Sequence, residues 1–198
     1  MFRRLLEQRA VIAMLLATGV GVLGVHTYPI DRGNVYLQLI ELRNPAVNGY
    51  RTDDLIVEEL PLVAAFLPTL VTVLIGANDI VAGCSDERYR ERLRLIHGRV
   101  RDDAETAAVY ALPQPDWSLS PAGSGFGDLA AIANKIERFN QIARDEAEHA
   151  RAVWIDLFPL MRDQGRRKMF AADGLHPSAD AYAEWARELA RRASASSP

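Results

Sequence analysis

An α/β fold with a parallel sheet covered on both faces is the fold class this sequence predicts, on three observations. Short apolar or β-branched runs alternate with longer segments whose apolar residues recur at steps of three and four. Strands that take turns with helices are joined by right-handed crossovers, which lay the strands parallel and put helices on either side. The apolar runs themselves lack polar alternation, as strands buried on both faces should. No repeat, linker or low-complexity block divides the 198 residues, which read as one domain over 1–193 with a basic N-terminal extension at 1–9 and a frayed tail at 194–198.

The first candidate strand is Ala10–Leu16, part of a charge-free stretch reaching Val25 after Arg3, Arg4 and Arg9. A basic start before an apolar stretch also describes a secretory signal. Three glycines, and no small-x-small cleavage site before His26-Thr27-Tyr28, favour the strand, with Thr18-Gly19-Val20-Gly21 as the loop behind it. The stretch is shorter than the ~20 apolar residues a membrane span needs. A cytoplasmic protein without a stable span is therefore expected, a secreted or anchored one being the alternative. Thr52–Leu60 reads as a helix with Asp53 and Asp54 favourable in its first turn. Leu70–Ile75 is β-branched and bounded by Pro68 and Gly76; Ala107–Leu112 and Ala152–Leu157 are the next strands. Asp86–Val100 aligns Tyr89, Leu93, Ile96 and Val100 on one stripe, and Asp128–Ala150 aligns Leu129, Ile132, Ile136, Phe139 and Ile142. The last helix opens after Pro177 with Ser178 as N-cap and presents Tyr182, Trp185 and Leu189.

Composition narrows the function. With 23 Lys+Arg against 26 Asp+Glu, the net charge is -3 and the charges are interspersed, which excludes a dedicated nucleic-acid binder. One cysteine, Cys84, excludes an internal disulfide framework and a Cys-based zinc site. No metal or cofactor is expected; the expected partner is a small molecule. A flavodoxin-like cofactor site is disfavoured, because Thr18-Gly-Val-Gly supplies a single hydroxyl for a phosphate.

In a parallel α/β sheet, ligands bind at the carboxyl ends of the strands. Those positions hold Gly76-Ala77-Asn78-Asp79, Pro113-Gln-Pro-Asp-Trp117 and Asp173-Gly-Leu-His176-Pro177, while Asn48-Gly49-Tyr50 precedes the Thr52 helix. An Asp three residues before a His can accept the ring N–H and stabilise an imidazolium; equally, Asp173 and Gly174 can be simple turn formers. The Asn78 side chain can donate to a developing oxyanion or close a turn, and Gly49 can offer a backbone N–H or supply a positive φ.

Taken together and in this order, these blocks resemble the SGNH (GDSL-type) hydrolase family over nearly the whole chain. Gly76-Ala77-Asn78-Asp79 looks like its G-x-N-D block and Asp173-Gly174-Leu175-His176-Pro177 like its D-x-x-H-P block. Leu112-Pro-Gln-Pro-Asp-Trp-Ser-Leu-Ser-Pro121 is similar to the P-D-W segment of bacterial members, and Asn48-Gly49-Tyr50 to the second block. The resemblance implies a three-layer α/β/α sandwich with a flavodoxin-like central sheet, and acyl transfer from a carboxylic ester (a small acyl ester, lysolipid or acetylated sugar) to water. It assigns His176 as general base and acid, a buried Asp173 as its orienting partner, and Gly49 and Asn78 as oxyanion-hole donors.

The departure lies in the first block. The family's G-D-S-x-x-x-G, anchored on Gly19, falls over Ala13–Gly19 and puts Leu15 where the nucleophilic Ser belongs; no Ser occurs before Ser85. A frame change upstream of Ala17, a non-catalytic ligand-binding relative, or Thr18 as substitute nucleophile would each account for it, and Thr18 is disfavoured by its distance along the loop. Among other candidates, Cys84 reads as a semi-buried cysteine, His97 and His149 as solvated residues of polar helices, and His26 has no evident partner. Arg90–Arg94 and Arg166–Lys168 read as solvated faces, the latter on the approach to Asp173 where an anionic head group could meet it. The loops Gly83–Arg88 and Ser118–Gly127 are expected to set specificity.

Overall fold

The computed structural model describes residues 23–32 and 35–195. The expected strand Ala10–Leu16, Leu15 and Thr18 lie outside the described residues. Among the described residues the sheet has five strands, β1 (Leu23–Arg32), β2 (Val35–Arg43), β3 (Leu70–Val73), β4 (Ala108–Ala111) and β5 (Val153–Trp154), in the order β2-β1-β3-β4-β5. The expected parallel core is β3-β4-β5, with Leu70 opposite Ala108 and Tyr110 opposite Val153. The pair β1 and β2 extends this parallel core with two antiparallel strands. They run antiparallel to each other, and β1 runs antiparallel to β3. Their β-branched and aromatic content (Val25, Thr27, Tyr28, Ile30, Val35, Tyr36, Ile40) suits strands. The last predicted strand, Ala152–Leu157, is cut to Val153–Trp154.

The helices are α1 (Thr52–Asp54), α2 (Leu60–Phe66), α3 (Ala77–Val81), α4 (Asp86–Asp103), α5 (Leu129–His149), α6 (Phe158–Arg166) and α7 (Ala179–Ala195). Between α1 and α2 the backbone widens into a π turn, Leu55–Glu59, where the Leu60 N–H reaches back five residues to the Leu55 carbonyl. Pro61 is the physical cause: it brings no N–H for the Val57 carbonyl, and its ring would crowd a regular turn. The helical run thus continues past Leu60, its predicted end. Caps follow the sequence: Ser85 accepts from Arg88 N–H, Asp128 from Ala131 N–H and Ser178 from Ala181 N–H.

Strand parity sorts the core into three layers. Val71, Val73 and Ile75 face Tyr89, Leu93 and Ile96 of α4 and Phe139 and Ile142 of α5. Leu74, Tyr110 and Leu112 point the other way, onto Met161 of α6 and Trp185 of α7. This is the three-layer α/β/α arrangement. Two surface readings are corrected here. His97 is buried rather than solvated, because it sits one residue past Ile96 on the face that α4 turns toward α5. The Arg90–Arg94 run is paired: Arg90 and Arg94 both bond Glu146 of α5, and Arg92 reaches Asp53. Among the described residues no helix is long and apolar enough to cross a membrane.

Candidate active site

At the carboxyl end of β3 the chain must turn sharply, and Gly76 does so with φ +130. A β-carbon there would stand 2.6 Å from the Tyr89 hydroxyl, which donates to the Ile75 carbonyl at 2.7 Å. Tyr89 therefore fills the space beneath the strand end, and only glycine fits above it. The short α3 that follows projects Asn78 and Asp79 in different directions. Asp79 is buried, and its carboxylate accepts both the Thr52 N–H (3.0 Å) and the Thr52 hydroxyl (2.6 Å). Burial raises its pKa, and the two bonds from Thr52 work against that rise. Asn78 donates one N–H of its amide to the Tyr50 carbonyl at 2.9 Å, leaving the other for a ligand.

These bonds tie the β3 end to the turn Val47–Tyr50, closed by Tyr50 N–H to the Val47 carbonyl. Gly49 holds φ +92 while Asn48 stays in the ordinary range, which is a type II turn with glycine where the turn demands it. The Gly49 N–H has no hydrogen-bond partner among the described residues.

The last loop is stitched on both sides. Ala171 N–H donates to the His176 carbonyl (2.7 Å), Ser178 N–H to the Met169 carbonyl, and Phe170 bridges Pro177. Asp173 performs both roles left open by the sequence. One carboxylate oxygen accepts the Leu175 and His176 backbone N–H groups as a turn former; the other lies 2.5 Å from His176 Nδ1. The ring bond, then the two backbone bonds, hold the Asp173 carboxyl down at about 2. It is thus ionised at neutral pH, which makes Nδ1 the protonated nitrogen and leaves Nε2 to take a proton. The expected buried Asp173 is corrected: its side chain is 49% exposed, His176 being 30%. Both Asp173 oxygens stay bonded in spite of that exposure.

A cavity of about 240 Å³ joins the pieces. Asn78 and His176 line it together with Asn48, Tyr50, Val81, Trp117 and Phe126; Asp173 stands behind His176, and Gly49 lies between two lining residues. The Ser118–Gly127 loop contributes Phe126, whereas Gly83–Arg88 and Arg166–Lys168 contribute nothing to the lining. Arg167 is paired with Asp163 and Glu184. Cys84 is half-buried, away from the lining, and burial raises its thiol pKa, the opposite of an activated nucleophile. Among the described residues no cluster of His, Cys, Asp or Glu could hold a metal.

Sequence reasoning missed the supports. Asn140 clamps the backbone of Gln114 with both halves of its amide, at 2.6 and 3.0 Å, and so fixes the segment that carries Trp117. Its signal was present: a polar residue four places after Ile136, on an otherwise apolar stripe. Thr52 and Tyr89 gave no such sign.

The sequence matches the GDSL-like lipase/acylhydrolase family over residues 10–194. Solved structures share the fold. A lipase/acylhydrolase from Enterococcus faecalis is 20% identical, with a TM-score of 0.60, covering 74% of this chain and 72% of that one. Axe2, an acetylxylan esterase from Geobacillus stearothermophilus, is 16% identical with a TM-score of 0.60, covering 75% and 69%. TesA is 23% identical with a TM-score of 0.57, covering 74% and 73%. No curated protein matches the sequence closely enough to count as a relative.

Proposed function

Because the chain belongs to the GDSL-like lipase/acylhydrolase family, we propose that it acts on carboxylic esters through the Asp173–His176 pair. The observation that carries this reading is the pairing of His176 with an ionised Asp173 on the wall of a cavity that also holds Asn78. In the proposed reaction His176 Nε2 takes the proton of an attacking hydroxyl as its oxygen bonds the ester carbon. The carbonyl electron pair moves onto oxygen, where the free N–H of Asn78 and the Gly49 N–H hold it. His176 then returns the proton to the departing alkoxide as the C–O bond breaks. Asp173 keeps the ring in the required tautomer and offsets the charge of the imidazolium.

The attacking hydroxyl is the open part. Leu15 stands at the serine position of the motif and carries no oxygen. That residue favours a second reading, a protein that binds esters without turning them over. Hydrolysis of a short-chain chromogenic ester, compared between the native chain and His176→Ala, separates the two. For the hydrolase, activity is expected to drop at least ~100-fold in the variant, the usual scale for losing a general base. Equal, background-level rates would sink the hydrolase reading and leave the binding one.

A further inference from the structure

The cavity wall carries a buried amide that the proposed reaction does not use. Gln114 lines the cavity at 2% exposure, yet its side-chain amide has no hydrogen-bond partner among the described residues. Buried amides are ordinarily bonded, and the two others among the described residues are. Asn140 spends both ends of its amide on the main chain of Gln114. Gln164 donates to the Ala181 carbonyl and to Glu184 while accepting the indole N–H of Trp185. Neither amide atom of Gln114 is sealed off by protein, so the group is presented to whatever fills the cavity.

The backbone beneath this amide is fixed. Pro113 and Pro115 flank it, and a residue before proline is confined to extended backbone. With its N–H and carbonyl both held by buried Asn140, only the side chain is left to move. That is the build of a preorganised polar contact. None of the cavity's described lining residues is Lys, Arg, Asp or Glu, so an ion would lose its water there and gain no counter-ion. A plain alkyl group fails in the opposite way, covering the Gln114 amide and leaving its donor and acceptor unmade. An uncharged hydroxyl avoids both costs, since it can donate to Oε1 or accept from Nε2.

Resting on the reading of this cavity as an ester site, we infer that Gln114 is a specificity-determining residue that selects esters bearing an uncharged hydroxyl over their alkyl counterparts. The hydroxyl belongs either to the acyl part or to the alcohol part, and two matched pairs tell these apart. Methyl 3-hydroxybutanoate is compared with methyl butanoate, and glycerol monoacetate with propyl acetate. Binding is titrated by NMR in full-length His176→Ala, so that hydrolysis does not consume the ligand. In one pair the hydroxylated ester binds about tenfold tighter, the scale of one hydrogen bond otherwise left unmade in a buried site. Adding Gln114→Met, apolar and of similar size, brings that ratio to about one. It does so by weakening the hydroxylated ester while the alkyl ester binds at least as tightly as before, which a misfolded variant would not do. Gln114→Glu keeps an acceptor in place and retains the preference.

A ratio of one in both pairs overturns the inference, as does a preference that survives Gln114→Met. Ester turnover by the native chain is followed separately. Turnover without the preference removes the inference and leaves the hydrolase reading intact. The preference without turnover supports the inference and removes hydrolysis. Absence of both binding and turnover removes the two together.

Discussion

At Gly76 a single hydrogen atom separates the end of β3 from the ring of Tyr89. The ring has nowhere to retreat, since it is fully buried and stacked on Phe139 at 4.0 Å. A methyl at position 76 would strain a left-handed backbone and collide with ring carbon as well as hydroxyl. Gly76→Ala is expected to cost about 2–4 kcal/mol, combining strained backbone with overpacking. Urea denaturation measures it. Adding Tyr89→Phe should recover less than half, because Tyr89 Cζ would lie 2.8 Å from the new β-carbon. A loss below 0.5 kcal/mol would show that the strand end adapts freely. At this scale the sequence marks which residues matter but not how they are held. Gly76, Asn78, Asp173 and His176 stand out as motif positions. The partners that hold the neighbouring Asp79 and Gln114, Thr52 and Asn140, lie 27 and 26 residues away along the chain; Asn140 shows as a polar residue on an apolar stripe, but nothing local says what it bonds.

Elements were more legible than their ends. Apolar stripes set by the helical period gave α4 and α5 to within a turn. The C-terminus of α5 shows what the pattern cannot foresee. Ala152 N–H bonds the Ala147 carbonyl and Arg151 N–H the Glu148 carbonyl, a Schellman motif closed by the apolar contact of Ala147 with Ala152. The residue forced into the left-handed region, φ 61, is Arg151, where glycine is usual. Arg151→Gly should relieve about 1–2 kcal/mol of strain against up to about 1 kcal/mol of added chain entropy. A net gain of about 0.5–1 kcal/mol is expected, visible as a higher Tm, and a lower Tm would contradict it. The π turn before Pro61 is of the same kind: the proline is visible in the sequence, the register shift it induces is not.

Across the whole molecule, the α4–α5 seam contributes a distinct step to acid stability. Burial holds the His97 imidazole down at about 4, and its Nδ1 has no hydrogen-bond partner among the described residues. In the unfolded chain the same ring titrates near 6.5. Between these values the unfolded state binds the extra proton, so stability falls as pH drops through this window and the effect saturates below about 4. From pH 7 to pH 5 the loss attributable to His97 is about 2 kcal/mol. His97→Phe keeps a buried ring and removes the proton, so its urea midpoint should shift less over that interval. Equal shifts in the two proteins would exonerate His97. At this scale too, the layered α/β/α plan was readable because alternation and burial are periodic. The burial of His97 was not, because an imidazole at the margin of the apolar stripe reads as polar although it lies one helical turn past Leu93.

Asn140 grips the main chain of residue 114, not its side chain. The clamp therefore asks only for a backbone N–H, which every residue except proline supplies, although Gln114 borders the cavity. The protein thus separates the anchoring of this wall from its chemistry, and position 114, buried at 2% exposure, is a place where ligand preference can change through side chains of similar size without loosening the main chain.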